Sequence, residues 1–251
     1  MRRPGPVALD TPTGPGLRIQ HMDWATGTLP DKPQESDAPL SLPDWAMSPV
    51  HQPDRAPGPL APSNLGGAKA LWGPGGPGDE DAALTFGTQV HRLLEHLPLV
   101  DRTEWQPYAA RLLSVGPDGT DDVLPALTEA SNVLTAPDLA FLFADSVLSE
   151  VDISANIPEL GGNRIAGAID KLVISDDRVL AVDFKTNTIV PDSPALVPDD
   201  LLRQMGAYHS ALQAIYPGRD VQTAILWTKT AQLMLLPHEI VRDALRLPTT
   251  S

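Results

Sequence analysis

The chain has 251 residues, enough for one large domain or two small ones around a sizeable core. It has no cysteine, which excludes disulfides, thiolate-bound zinc and iron–sulfur clusters. Its formal charge of −14, from 18 Lys and Arg against 32 Asp and Glu, weighs against a free-standing nucleic-acid binder, because that affinity is largely phosphate neutralisation by cations.

Met1-Arg2-Arg3 runs into Pro4-Gly5-Pro6 and not into an apolar stretch, so no secretory signal is expected. No apolar run approaches the length of a membrane span. A cytoplasmic protein with no membrane association is the expectation. Residues 1–82 hold 15 of the 27 prolines and little periodicity, the composition of a linker or disordered arm. Trp24 and Trp45 fit either a solvated tail or short docking segments. The stretch from Gly73 to Gly78 formally matches G-x-G-x-x-G, but Pro74 and Pro77 remove backbone donors and no strand precedes it. No G-x-x-x-x-G-K-[ST] occurs, so the chain carries no Walker A motif.

The folded domain is expected over residues 83–251. Leu84, Val90, Leu93, Leu94 and Leu97 fall at helical spacing, and Pro98 ends the run. His91 lies beside this stripe, where a half-buried structural histidine and a ligand look alike. Further helical stretches are expected over 105–113, 124–134 and 137–144. The stretch from Gly116 to Gly119 separates the first two, and Pro137 sits in the opening turn of the third. Residues 147–157 alternate well enough for a first strand carrying Glu150.

Two apolar, β-branched runs between Ile165 and Lys185 flank Ser175-Asp176-Asp177-Arg178, which reads as a hairpin turn. That turn pairs Ser175 with Arg178 and, carried along the strands, Asp170 with Asp183. Residues paired this way point to one face with Cβ atoms roughly 5 Å apart. Lys185 shares that face with Asp183, and Phe184 points away. Two carboxylates so close repel, and one stays protonated unless a cation holds both. An oxygen-rich cluster suits a hard divalent cation such as Mg²⁺.

A proline-rich loop over 186–198 leaves the second strand. Asp199-Asp200 then open a helix whose positive N-terminus they suit. Leu201, Met205, Tyr208, Leu212 and Ile215 form its apolar stripe, and Gln204 and Tyr208, four residues apart, share one side. Residues 221–228 and 232–236 read as a closing strand pair with Lys229 in the turn, and a short helix is expected from about Glu239.

Gly167-Ala168-Ile169-Asp170, Asp183-Phe184-Lys185-Thr186-Asn187 and Gln204-x-x-x-Tyr208 resemble the ordered motifs of RecB-type nucleases in the PD-(D/E)XK superfamily. The likeness is greatest to the C-terminal nuclease domain of the AddA helicase–nucleases that process double-strand breaks. Gly87 to Pro98 resembles the histidine helix of that family, and Ser149-Glu150-Val151 its acidic strand. The likeness runs from about Leu60 to the C-terminus and weakly from about Leu42. Its first acidic motif has the Gly-x-x-Asp form without the superfamily's proline.

The resemblance implies an α/β, restriction-endonuclease-like core, a mixed central sheet flanked by helices. It also implies metal-dependent hydrolysis of DNA of the exonuclease type. Asp170, Asp183, His91 and the Phe184 carbonyl would hold Mg²⁺. Imidazole on Mg²⁺ is unusual, so Mn²⁺ is admitted as well. Lys185 would orient and help activate the attacking water, and Glu150 would assist the metal or hold Lys185. Gln204 would steady water, ligand or phosphate, while Tyr208, Thr186 and Asn187 would contact DNA. Some RecB-type relatives carry a cysteine-bound iron–sulfur cluster, which this chain cannot. An AddB-like subunit and a helicase motor are the implied partners, since the chain has no motor. The rival expectation is a non-catalytic nuclease-fold module that docks on such partners.

Overall fold

The computed structural model of the chain describes residues 7–11, 14–18, 58–66, 80–115, 119–120 and 122–246. Trp24, Trp45, the Gly73–Gly78 stretch and residues 116–118 of the expected break lie outside them. The chain divides into two units, Met1–Arg55 and Ala56–Ser251. The first contains an antiparallel hairpin of β1 (Val7–Thr11) and β2 (Gly14–Arg18), which the Pro/Gly-rich composition gave no sign of. Thr11 Oγ1 donates to the Gly14 carbonyl at 2.6 Å, and Gly14 takes a φ of +127° that a side chain would resist.

After a short 3₁₀ turn at Pro62–Asn64, the second unit continues with α1 (Glu80–His96), α2 (Trp105–Leu113) and α3 (Leu124–Thr135). A 3₁₀ segment, Pro137–Phe143, stands where the sequence suggested a further helix. Then come β3 (Leu148–Asn156), β4 (Arg164–Ile174), β5 (Arg178–Lys185), α4 (Asp199–Ile215), β6 (Asp220–Trp227), β7 (Gln232–Leu236) and α5 (His238–Arg246). The strands form one sheet in the order β3-β4-β5-β6-β7. Only β5 and β6 are parallel, which requires the crossover that α4 supplies.

β5 is central and buried on both sides, so its apolar run is continuous. Its residues still divide by parity. Val179 and Ala181 join Leu201, Met205 and Leu212 of α4 in one core, while Leu180, Val182 and Phe184 join Val90, Leu94 and Val133 of α1 and α3 in the other. Asp183 and Lys185 therefore belong to the α4 side, and Phe184 to the α1 side.

α4 and α5 cross at Gly206. A Cβ there would lie 2.3 Å from the Val241 carbonyl oxygen, and backbone cannot swing aside as a flexible side chain would. Gly206→Ala is expected to destabilise the protein by about 1–3 kcal/mol through overpacking. Urea denaturation of the two proteins measures it; an unchanged midpoint would mean that the helices part at no cost.

The β4–β5 ladder runs from Ile174↔Val179 to Lys171↔Val182 and stops there. β4 continues back to Arg164 paired with β3 alone. The strands part, and three groups occupy the space between them. Residues 58–66 take the outer end: the Leu60 N–H donates to the Arg164 carbonyl and the Ala166 N–H to the Leu60 carbonyl. Pro62 lies against Gly167, where a Cβ would meet its ring at 2.8 Å, and Arg203 Nη1 donates to the Leu65 carbonyl at 3.4 Å. The other two groups are the side chains of Tyr208 and Asp170.

Candidate active site

The Tyr208 hydroxyl donates to the Ala168 carbonyl at 2.6 Å, satisfying an oxygen that β5 has left behind. The residue is 3% exposed, and burial first, then the Asp183 charge, raises its pKa. Tyr208 braces β4 from a nearly buried position, its hydroxyl engaged by the Ala168 carbonyl.

Asp170 turns its carboxylate into the ladder. Its Oδ2 accepts the Phe184 N–H at 2.5 Å, doing the work of a strand carbonyl. The alternation of β4 slips here, since Ile169 and Leu172, three residues apart, enter the same core. β3 skips at the same level: Ser149↔Lys171 and Val151↔Ile169 pair, and between them Glu150 takes a φ of +49°. That region is costly for a non-glycine residue and clusters at functional positions. The expected face-to-face Asp170–Asp183 pair is thereby corrected, because the ladder ends one step earlier and the two side chains serve different neighbours.

Asp183 is 3% exposed and faces α4. Its Oδ1 accepts the Gln204 amide N–H at 2.7 Å, and its Oδ2 pairs with the Lys185 ammonium at 2.7 Å. Lys185 also donates to Gln204 Oε1 at 3.2 Å, and the Gln204 amide lies 3.3 Å from the Tyr208 hydroxyl. Burial pushes the Asp183 carboxyl up, against the pull of Lys185 and with a further push from Asp170. Burial disfavours the Lys185 ammonium, but the Asp183 charge and hydrogen bond outweigh it and raise the lysine. The Asp183 contact thus favours the charged form of Lys185.

On the other side of β5, α1 delivers His91. Its Nε2 lies 3.1 Å from the Phe184 carbonyl oxygen and its Nδ1 3.4 Å from Asp170 Oδ1, while its ring meets Phe184 edge-on at 5.5 Å. Burial lowers the imidazole pKa, but the Asp170 hydrogen bond and the charges of Asp170 and Asp183 exceed that and leave it raised. His91, Glu150 and Asp170 each offer a ligand atom within 4.8 Å of the others. Hard carboxylate oxygens beside one imidazole suit Mg²⁺ or Mn²⁺. The compact trio thus contains Glu150, with Asp183 coupled to it through Asp170 and occupied by Lys185 and Gln204.

Glu150 does not hold Lys185. Burial and the charges of Asp170 and Glu95 raise its pKa, and the lysine whose charge it feels is Lys171. Lys171 was missed in the sequence. It is 4% exposed, donates to Ser149 Oγ at 2.6 Å, lies over the Phe143 ring at 5.0 Å, and has its pKa lowered by burial. A lysine interrupting the apolar run beside Asp170 was the signal available.

Two parted strands that carry carboxylates and a lysine into one buried cluster, with a histidine added from the opposite face, define an α/β, restriction-endonuclease-like protein. The chain belongs to the PD-(D/E)XK nuclease superfamily, whose profile matches residues 68–244. No curated protein matches it. Among solved structures, that of SSO0001 is similar over 62% of this chain and 72% of its own, at 12% identity and a TM-score of 0.29. No described helix is long and apolar enough to cross a membrane.

Proposed function

We propose that the chain is a divalent-metal-dependent deoxyribonuclease of exonuclease type that hydrolyses DNA phosphodiester bonds. The observation that carries this is the convergence of His91, Glu150 and Asp170, beside the buried Asp183–Lys185–Gln204 group, at the point where β4 and β5 part. His91, Asp170, Asp183 and the Phe184 carbonyl would hold the ion, with Glu150 within reach of the first two. The ion, when bound, supplies Lewis-acid polarisation of the phosphate and a lowered pKa for an attacking water. The residues do the rest. Lys185 donates toward water or a phosphate oxygen and offsets developing negative charge. Gln204 fixes both Asp183 and Lys185, and Tyr208 holds β4 at the spacing the site needs.

The reading extends to an AddA-like nuclease module of double-strand break repair, working in the cytoplasm with an AddB-like subunit and a helicase motor. The motif order supports it, and so does the charge of −14, which leaves the grip on DNA to be shared with partners. The domain would occupy residues 83–251, with 1–82 as its arm. Incubating the purified chain with linear single- and double-stranded DNA in Mg²⁺, Mn²⁺ or EDTA tests the activity. Cleavage in metal that stops in EDTA and in Asp183→Ala is expected. A folded chain inert on both DNAs, alone and with AddB-like and motor subunits, would leave the docking-module alternative.

The His91 geometry makes a separate prediction. Its pKa lies above the ordinary 6.5, so the imidazole keeps its proton to higher pH than a free histidine, and a cation must displace that proton. Mn²⁺ affinity is therefore expected to fall as pH drops through the His91 pKa. Titration calorimetry in buffers of different ionisation heat should show proton release, and His91→Ala should abolish it. Equal release in both proteins would remove His91 from the ligand set.

A further inference from the structure

β5 leaves the active site through residues 186–198, and this loop closes against Trp227 of β6 around a pocket of about 270 Å³. Asn187, Ile189, Pro191, Leu196 and Pro198 form its walls. Trp227 is the register partner of Lys185, and Asn187 follows Lys185 by two residues. Trp227 also packs into the core on the α4 side, the side where Lys185 meets Gln204. The pocket therefore flanks the group we assign to water and phosphate.

Its chemistry is wrong for phosphate. Among the described residues no Lys, Arg or His lines it, and its one charged residue is the exposed Asp192, which repels anions. What it offers is apolar surface with a few polar groups. Ile189 is 52% and Leu196 64% exposed, beside Trp227 at 1%. The Trp227 indole N–H is buried without a hydrogen-bond partner among the described residues, and Asn187 adds an amide donor and acceptor. A flat, neutral heterocycle with donors and acceptors on its edge matches this lining. In a strand whose phosphate lies at Lys185, the nearest such group is the adjoining base.

We propose that this pocket holds one unpaired nucleobase of the substrate strand, beside the scissile phosphate; the proposal rests on the nuclease reading. A base locked in a duplex cannot enter it, so the preferred substrate is a single strand or a frayed end. A base seated against Ile189 and Leu196 buries apolar surface, a contact that needs no cation. Such contacts give a chain of charge −14 a grip that phosphate neutralisation cannot.

The test is equilibrium binding by fluorescence anisotropy at low salt, with Ca²⁺ in place of Mg²⁺. A labelled oligodeoxythymidylate is compared with an abasic strand of equal length and charge. The wild type should bind the intact strand about tenfold more tightly. Ile189→Ser and Leu196→Ser should each reduce that advantage several-fold, and together erase it. Both side chains are exposed, so circular dichroism and melting should match the wild type. Equal binding of the two strands, no binding to either, or a full advantage in the double variant would overturn the proposal. Mg²⁺-dependent cleavage of the abasic strand at saturating concentration reads the nuclease separately. Cleavage without base preference retires the pocket alone, and base preference without cleavage, alone and with AddB-like and motor subunits, retires the nuclease reading alone.

Discussion

Asp170→Asn is expected to lower metal-dependent DNA cleavage by at least about 10²–10³-fold while leaving the protein folded. The asparagine oxygen still accepts the Phe184 N–H that Asp170 Oδ2 takes at 2.5 Å, so the bridge between the parted strands persists. The charge is what disappears, and with it the hard oxygen at the centre of the His91–Glu150–Asp170 trio. The His91 pKa should fall in the same variant, because the Asp170 hydrogen bond and charge are the leading causes that raise it. Asp170→Ala is the contrast. It removes the acceptor too, and an orphaned buried N–H costs about 1–3 kcal/mol. Cleavage rate, melting temperature and the His91 titration followed by NMR separate the two effects. An Asn variant that cuts DNA within a few-fold of the wild type would remove Asp170 from the metal chemistry.

The hairpin was legible because its turn residues and its register agree. Ser175-Asp176-Asp177-Arg178 fixes the turn, the Ser175 N–H donates to the Arg178 carbonyl, and the ladder follows to Lys171↔Val182. α4 was legible from its stripe: the expected start at Asp199 is the observed one, and the helix closes on Ile215, the last residue of that stripe. Period-two alternation says nothing, however, about where two strands stop pairing. The parting at Asp170 is decided by groups distant in sequence: Tyr208 on Ala168, Leu60 on Arg164 and Ala166, and the Asp170 carboxylate on Phe184. Residues 58–66 read as arm because they lie within the proline-rich stretch 1–82, yet Pro62 is buried against Gly167. Glu150 is the same kind of case. Its neighbours pair in one unbroken register on both sides, and only the local departure from the ladder opposite Asp170 puts a positive φ on it and brings its carboxylate to His91. Motif order thus brought forward residues that the fold gathers in one place, while the contacts each of them makes are set by tertiary structure.

Lys185→Met is expected to abolish cleavage and to destabilise the fold by about 3–5 kcal/mol, the ordinary cost of leaving one member of a buried ion pair uncompensated. Asp183 Oδ2 is buried and pairs with the Lys185 ammonium at 2.7 Å, so the methionine leaves the carboxylate only the Gln204 amide on Oδ1. The effect carries a pH signature. Burial already raises the Asp183 pKa above 3.8 and Lys185 opposes that rise, so losing the ammonium pushes the pKa higher still. The folded state then holds a proton that the unfolded state has released. Stability is therefore fully present below the unfolded pKa and lost as pH climbs through the folded one. Urea unfolding of Lys185→Met should weaken steadily from about pH 4 upward. Adding Asp183→Asn removes the buried charge and should restore most of the stability without restoring activity, since a neutral pair needs no counter-ion. If Lys185→Met matched the wild type in stability across that range, the Asp183 carboxylate would have to be compensated by a group other than Lys185. His91 is the candidate, because its charge, like that of Lys185, acts to lower the Asp183 pKa. A His91→Ala/Lys185→Met double variant would then show the loss that the single variant did not.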